Sequence, residues 1–125
     1  MSYQAKAQEL YAMIGQGQSL EALDKFYHDN VTVTEVPRNE VRNGKEAQRA
    51  AIQQWFEMVE SHNGGGVKSI TSNEEEGITA VESWMDMTLK GGMNAKMSEV
   101  AVQKWDGDKI IEEKFYYHDP QANMG

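Results

Sequence analysis

The strongest constraint on the fold of this chain is a change in the spacing of its apolar residues at the glycine run Gly64-Gly65-Gly66. Before this run, apolar residues recur about every 3.6 residues, as they do along one face of a helix. After it, apolar and polar residues alternate with a period of 2, which is typical of strands. Helical spacing first and strand spacing last predicts an α+β fold with helices on one face of a sheet.

The N-terminal half is predicted to contain three helices and one strand. The helices span residues 3–14, 19–27 and 45–61, and Ser19 is expected to cap the second. The strand spans residues 31–36, a β-branched segment that stops at Pro37, and an irregular stretch follows up to Gly44. The third helix is expected to bury one stripe, formed by Ala47, Ala50, Ala51, Trp55, Met58 and Val59.

The C-terminal half reads as an antiparallel series of four strands at residues 67–72, 78–89, 96–105 and 109–118. Turn-forming segments separate the four strands: Glu76-Gly77, Gly91-Gly92 and Asp106-Gly107-Asp108. Neither a linker nor an internal repeat interrupts the pattern. We therefore expect a single domain over residues 1–125.

Charge and composition exclude several functions. The chain carries 20 acidic against 12 basic residues, a formal charge of −8, which repels phosphate backbones and makes nucleic acid an unexpected partner. Cysteine is absent, and the three histidines His28, His62 and His118 lack metal-type spacing, so we expect neither a metal nor another cofactor. We find no apolar run of signal-peptide or membrane-spanning type, so we expect no membrane association and, by default, a cytoplasmic location.

Three segments carry a resemblance to a known superfamily. They are LDKFYHDNVTVTEV at residues 23–36, GKEA at residues 44–47, and WDGDKIIE at residues 105–112 with the aromatic run FYY at 115–117. In this order and spacing the chain resembles the nuclear transport factor 2-like superfamily, especially its SnoaL-like polyketide cyclase and steroid Δ-isomerase branches. The resemblance implies a cystatin-like cone, in which a curved antiparallel sheet carries three helices on its concave face.

The resemblance also implies a catalytic site. It places Glu35 at the position of the general-base carboxylate and Tyr11 at that of the tyrosine that holds the oxyanion. The second oxyanion donor, a carboxylic acid, would fall on Ala101, which cannot serve, although Glu99 lies on the same strand face. The implied activity is that of a cofactor-independent isomerase, cyclase or lyase. It would remove a proton next to the carbonyl of a small apolar compound.

Simpler interpretations of both residues stay open. Glu35 precedes Val36 and Pro37, so it can be a strand-end carboxylate that faces water or pairs with Arg38 or Arg42. Tyr11 can be a core tyrosine whose hydroxyl is satisfied by a neighbour.

Strand parity extends the predicted pocket. A two-residue turn at Gly91-Gly92 pairs positions that sum to 183, which places Trp84, Glu99 and Gln103 on one face. In the last strand we expect Phe115 and Tyr117 on that face, unless a one-residue bulge substitutes Tyr116 and His118. The predicted pocket residues are Trp55, Trp84, Glu99, Gln103, Phe115 and Tyr117.

Two other functions compete with catalysis. Bulky packing inside the cone would make the protein a non-catalytic ligand-binding or dimerisation module, and an exposed apolar patch on one rim would suit a protein-recognition adaptor. Both faces of the hairpin at residues 78–102 are apolar. Because only one face can meet the helices, we expect a homodimer through the other, and the sequence does not tell which face that is.

Overall fold

The structure, a computed structural model, describes residues 1–118, so residues 119–125 of the expected single domain lie outside the described part. The predicted α+β class is confirmed. The elements are α1 Tyr3–Gly15, α2 Ser19–Phe26, β1 Tyr27–Glu35, β2 Glu40–Asn43, α3 Lys45–Met58, β3 Val59–Asn73, β4 Ile78–Leu89, β5 Asn94–Asp106 and β6 Lys109–Tyr117. A single turn of 3₁₀ helix, Val36–Arg38, joins β1 to β2.

The six strands form one curved sheet in the order β2-β1-β6-β5-β4-β3. All neighbours are antiparallel except β1 and β6, which run parallel, so the sheet is mixed and the expectation of a purely antiparallel sheet is wrong. The reason is the path of the chain. After β2 it crosses through α3 to the far edge, returns along β3, β4, β5 and β6, and meets β1 in the same direction.

Two strands differ from their predicted extents. The segment expected to be irregular contains β2, which pairs with β1 between Thr32↔Asn43 and Glu35↔Glu40. Strand β3 begins at Val59 and runs through the glycine run, so α3 is shorter than predicted and the glycines lie inside a strand.

The loop between β4 and β5 reverses the predicted parity. Leu89 N donates to Met93 O at 2.8 Å, which closes a three-residue loop instead of a two-residue turn. Ser83 therefore pairs with Glu99, and Trp84 pairs with Ser98. Because an odd-length loop moves one strand by one residue, Trp84 lies on the opposite face from Glu99 and is 40% exposed. The prediction that Trp84 lines the inner pocket is wrong.

A bulge in β6 determines which residues of this last strand face the helices. Gln103 pairs with Glu113 while Trp105 pairs with Ile110, which leaves one extra residue in β6. Ile110 and Glu113 are both buried as a result. The extra residue comes before Glu113, so Phe115 and Tyr117 keep the predicted face. Phe115 pairs with Ala101, and Tyr117 pairs with Glu99.

The core lies between the sheet and the first two helices, and Trp105 is at its centre. Its side chain packs against Tyr3 and Phe26, with ring centroids 6.1 Å and 5.9 Å away, and Trp105 is 4% exposed.

Helix α3 packs against β1 and β2 and buries only Gln48. The stripe predicted for α3 is right only in part: Ala47, Ala51, Trp55 and Val59 are partly buried, whereas Ala50 and Met58 are exposed because the helix lies at the sheet edge.

We expect Trp105→Ala to lower the free energy of unfolding by roughly 3–5 kcal/mol, because it removes a buried aromatic side chain and leaves a cavity. Phe56, which is 45% exposed, provides the control, and Phe56→Ala should change stability by about 0.5 kcal/mol or less. Urea unfolding followed by circular dichroism measures both. Equal losses in the two variants would contradict this packing.

Candidate functional site

The inner face of the sheet carries a group of tyrosines and carboxylates that we call the inner cluster. Helix α1 contributes one member, and β1, β2, β5 and β6 contribute the others. Its members are Tyr11, Tyr27, Glu35, Arg42, Glu99, Gln103, Glu113 and Tyr117. The structure therefore brings five sequence-predicted residues together: Tyr11, Glu35, Glu99, Gln103 and Tyr117.

Strand register explains why these side chains meet. Alternate residues of a strand share one face, so Glu99 and Gln103 on β5 both point towards the helices. On β6, Tyr117 lies opposite Glu99 and Glu113 lies opposite Gln103. Because β6 lies between β5 and β1, Glu35 at the end of β1 completes the arrangement from the other side.

A directed chain of hydrogen bonds begins in the core. The Trp105 indole Nε1–H can only donate, and it donates to Thr79 Oγ1 at 2.9 Å. The Thr79 hydroxyl then donates to Gln103 Oε1 at 2.6 Å. This orients the Gln103 amide so that its Nε2 donates to Glu113 Oε2 at 2.8 Å.

Glu113 is the buried end of this series of hydrogen bonds. Its other oxygen, Oε1, accepts a hydrogen bond from the Tyr27 hydroxyl, and Glu113 is 1% exposed. Burial raises the pKa of Glu113 to about 7, although the hydrogen bonds from Tyr27 and Gln103 favour the charged form. Burial beside this carboxyl also raises the pKa of Tyr27 and of Tyr11, so both phenols stay protonated at neutral pH.

Glu35 is held by an ion pair. Arg42 Nη2 donates to Glu35 Oε2 at 2.7 Å, and the Tyr117 hydroxyl donates to Glu35 Oε1 at 2.7 Å. The Glu35 and Arg42 side chains are 18% and 15% exposed, and Arg42 is fixed further by Gln48 Oε1 at 2.8 Å. The open interpretation that Glu35 pairs with Arg42 is thus confirmed, and the pair is mostly buried.

Glu99 differs from the other two carboxylates. It is partly buried on β5, and among residues 1–118 no side chain or backbone group donates a hydrogen bond to it. Burial raises the pKa of Glu99 to about 7, and the negative charges of Glu113 and Glu35 add to the shift. A carboxyl group that titrates near neutral pH and has unused hydrogen-bonding capacity can both take and give a proton.

A row of methionines continues the inner face beyond Glu99. Met85, Met87 and Met97 alternate with outward-facing residues on β4 and β5, and all three are partly buried. We call these three the methionine row. Methionine side chains adapt to irregular apolar shapes, so this part of the inner face suits the apolar body of a small molecule.

The remaining predicted pocket residues have different environments. Trp55 is partly buried on α3, and Phe115 is partly buried and packs against the core. The sequence interpretation missed Tyr27, Arg42 and Glu113 as site residues. Tyr27 falls inside the predicted second helix, residues 19–27, whereas it begins β1 in the structure. The alternation of Glu113 with Phe115 and Tyr117 is a signal that could have identified Glu113.

Among residues 1–118, one open depression of about 500 Å³ lies beside Trp84 and another of about 120 Å³ lies beside Val100. Glu99 borders the smaller one, and neither is lined by Glu35 or Tyr11. Within residues 1–118, no three His, Asp or Glu side chains are grouped as a metal ion requires. No helix in this range combines the length and apolar character needed to cross a membrane.

Comparison with known proteins fits this architecture. The chain is similar to a protein of solved structure from Mesorhizobium loti described as a candidate SnoaL-like polyketide cyclase, with 30% identity, a TM-score of 0.81, and coverage of 94% of this chain and 100% of the other. An NTF2-like protein from Anabaena variabilis ATCC 29413 matches with 18% identity, a TM-score of 0.75, and coverage of 92% and 88%. A ketosteroid isomerase-like fold from Catenulispora acidiphila DSM 44928, in complex with trimethylamine, matches with 14% identity, a TM-score of 0.66, and coverage of 77% and 72%. Comparison with curated proteins finds no match.

The sheet and the helices define an NTF2-like α+β fold. A family model, the SnoaL-like domain, matches residues 1–117. The chain belongs to the SnoaL-like domain family. The fold is shared by a candidate polyketide cyclase and by a protein with a ketosteroid isomerase-like fold, and it does not specify which chemistry a protein performs.

The raised pKa of Glu99 predicts how stability changes with pH. The folded protein keeps the Glu99 carboxyl group protonated up to about pH 7, whereas the ordinary pKa of a glutamate carboxyl is 4.5. The protonated Glu99 therefore stabilises the folded state fully below about pH 4.5, and this contribution is lost as pH rises through 7. Between pH 5 and 7, Glu99→Gln should remove this loss, so the slope of the unfolding free energy against pH should become less negative by about 1.4 kcal/mol per unit.

Chemical denaturation at a series of pH values measures this slope. Glu57, exposed on α3, provides the matched control, and Glu57→Gln should keep the wild-type slope. An unchanged slope in Glu99→Gln would show that Glu99 is ionised throughout this range.

Proposed function

We propose that this protein binds a small organic carbonyl compound on the inner face of its sheet and moves a proton at the carbon next to the carbonyl, without a cofactor. Glu99 is the proton-transfer group in this proposal. The supporting observation is the environment of Glu99: partly buried, free of hydrogen bonds within residues 1–118, and next to the methionine row. Its pKa of about 7 suits both steps of a proton shuttle at neutral pH.

Tyr11 is the donor to the carbonyl oxygen in this proposal. Its raised pKa keeps the phenol protonated, and the nearby charges of Glu113 and Glu99 contribute to that shift. A partly desolvated O–H group stabilises negative charge as it develops on a carbonyl oxygen, because little water competes for the hydrogen bond. The reaction needs only these two groups, one to move the proton and one to hold the oxyanion.

The assignment of the base to Glu35 stays a hypothesis. Both Glu35 oxygens already accept hydrogen bonds, one from Arg42 and one from Tyr117. To act as a base, Glu35 would have to give up one of these bonds. We therefore propose that Glu35 keeps its charge, fixes Tyr117 at the side of the site, and helps to raise the pKa of Glu99.

A second candidate is a ligand-binding module without turnover. It is favoured by the contacts of the predicted pair, because both Glu35 oxygens already accept hydrogen bonds and Tyr11 packs against the core. Among residues 1–118, moreover, every fully buried polar side-chain atom already has a hydrogen-bond partner. The two candidates differ in whether any bound carbonyl compound loses a proton.

We also propose that the protein is a homodimer. The cytoplasmic location expected from the sequence stays a prediction.

Deuterium exchange tests the proposed proton transfer. The bicyclic ketone 2-tetralone is incubated with the protein in D₂O, and nuclear magnetic resonance follows the loss of its protons next to the carbonyl. We expect catalysed exchange with an inflection near pH 7. In Glu99→Gln the exchange should be about 10²-fold to 10⁴-fold slower, the range typical of losing an acid–base residue.

Two further variants make the test specific. Glu57→Gln, far from the inner face on α3, should exchange at the wild-type rate. If Glu35→Gln abolishes exchange and Glu99→Gln does not, the base is Glu35. Binding of 2-tetralone seen by chemical-shift changes, without catalysed exchange in the wild type, would favour the binding module.

A further inference from the structure

Beyond Glu99, the inner face carries three side chains with soft donor atoms. Met85 and Met87 on β4 carry thioether sulfurs, and His62 on β3 carries an imidazole. The register pairs His62 with Met87, and directly paired residues share one face of a sheet. Met85 comes two residues before Met87 and points to the same face. We call these three residues the soft-donor group.

A bulge and a glycine place the imidazole beside both methionines. The register shifts between His62 and Gly64, so His62 and Gly65 lie on one face although they are three residues apart. A Cβ atom at Gly65 would lie 3.4 Å from His62 Nε2 and 3.6 Å from His62 Cε1, so the ring lies over this glycine. Because Gly65 pairs with Met85, the nitrogen is next to the Met85 position. The backbone of His62 is opposite Met87, so the imidazole extends from one methionine position to the other.

The donor atoms of this group are available to a ligand. Within residues 1–118, His62 takes part in no hydrogen bond, and neither methionine sulfur accepts one. His62 is exposed, whereas Met85 and Met87 are partly buried. An ion can therefore reach the nitrogen from solvent and meet the sulfurs in a drier environment.

The donor set favours one kind of metal ion. Thioether sulfur is a soft ligand that selects Cu(I), and imidazole binds copper ions as well. Zn²⁺ is held in proteins by thiolate, imidazole and carboxylate groups, and Ca²⁺ and Mg²⁺ are held by oxygen atoms. Two thioethers beside one imidazole therefore match Cu(I) and none of these divalent ions.

The charge of the chain suits a monovalent cation. Imidazole and thioether ligands are neutral, so a bound Cu(I) ion keeps its positive charge, and a charge removed from water is costly unless it is compensated. The Asp86 carboxylate lies between the two methionines in the sequence of β4, and the whole chain carries −8. This negative field lowers the cost of holding a cation on the inner face.

We propose that the soft-donor group binds one Cu(I) ion, with His62 Nε2 and the sulfurs of Met85 and Met87 as ligands. The expectation of no metal rested on the absence of cysteine and on the spacing of histidines along the chain. Such spacing does not report methionines that a neighbouring strand brings to a histidine. The proposal does not depend on the proposed proton transfer, because neither Glu99 nor Tyr11 is a ligand.

Competition with a coloured chelator tests the proposal on the full chain. Copper is reduced with ascorbate under nitrogen and held as its bathocuproine disulfonate complex, and the protein is added stepwise. The wild type should withdraw one Cu(I) ion per chain, measured as loss of colour. In His62→Gln, and in Met87→Leu, which keeps the apolar volume, the affinity for Cu(I) should fall roughly tenfold or more because a ligand is lost.

Two matched controls separate this site from unspecific binding. His28→Gln on β1 and Met93→Leu in the loop after β4, where Met93 is 67% exposed, should bind Cu(I) as the wild type does. In nuclear magnetic resonance spectra, the ε-methyl signals of Met85 and Met87 should shift when Cu(I) is added, and that of Met93 should not. A wild type that withdraws no Cu(I), or site variants that bind it as tightly as the wild type, would overturn the proposal.

Discussion

The burial of the Glu113 carboxyl group is the constraint on which the rest of the site depends. A carboxyl inside a sheet–helix core is costly unless its oxygens are hydrogen-bonded, and here Tyr27 and Gln103 supply the two donors. The Gln103 amide is oriented by Thr79, which is fixed in turn by the indole of Trp105. The packing of one core tryptophan is thereby linked to the electrostatics of the inner face.

The same carboxyl affects its neighbours through charge. Together with Glu35 it disfavours ionisation of Glu99, and it disfavours ionisation of Tyr11. Glu35 is neutralised by Arg42, so three carboxylates on one face have three different environments: hydrogen-bonded and buried, ion-paired, and unpaired within the described chain. Carboxylates in such different environments can take different roles in a proton transfer.

Much of this arrangement could be predicted from local patterns. Helical and alternating periods place the three helices and most strands. The resemblance carried by residues 23–36 led to Tyr11 and Glu35, which both belong to the inner cluster. The face of Trp84 could not be predicted, because it depends on whether the loop after Leu89 has two or three residues, and glycines allow both. One residue in that loop moves Trp84 from the face of Glu99 to the outer face of the sheet.

The sequence by itself determined the class of fold, the order of its helices and of every strand except β2, and the acidic charge, because each follows from residue spacing or from a count. Only the tertiary structure decided which strands are neighbours, that β1 runs parallel to β6, and that Arg42 and not solvent neutralises Glu35. It also decided that Glu113 is buried and that Glu99 is unpaired within residues 1–118. The physical reason is that burial and ion pairing depend on contacts between segments far apart in the chain, and local spacing carries no record of those contacts.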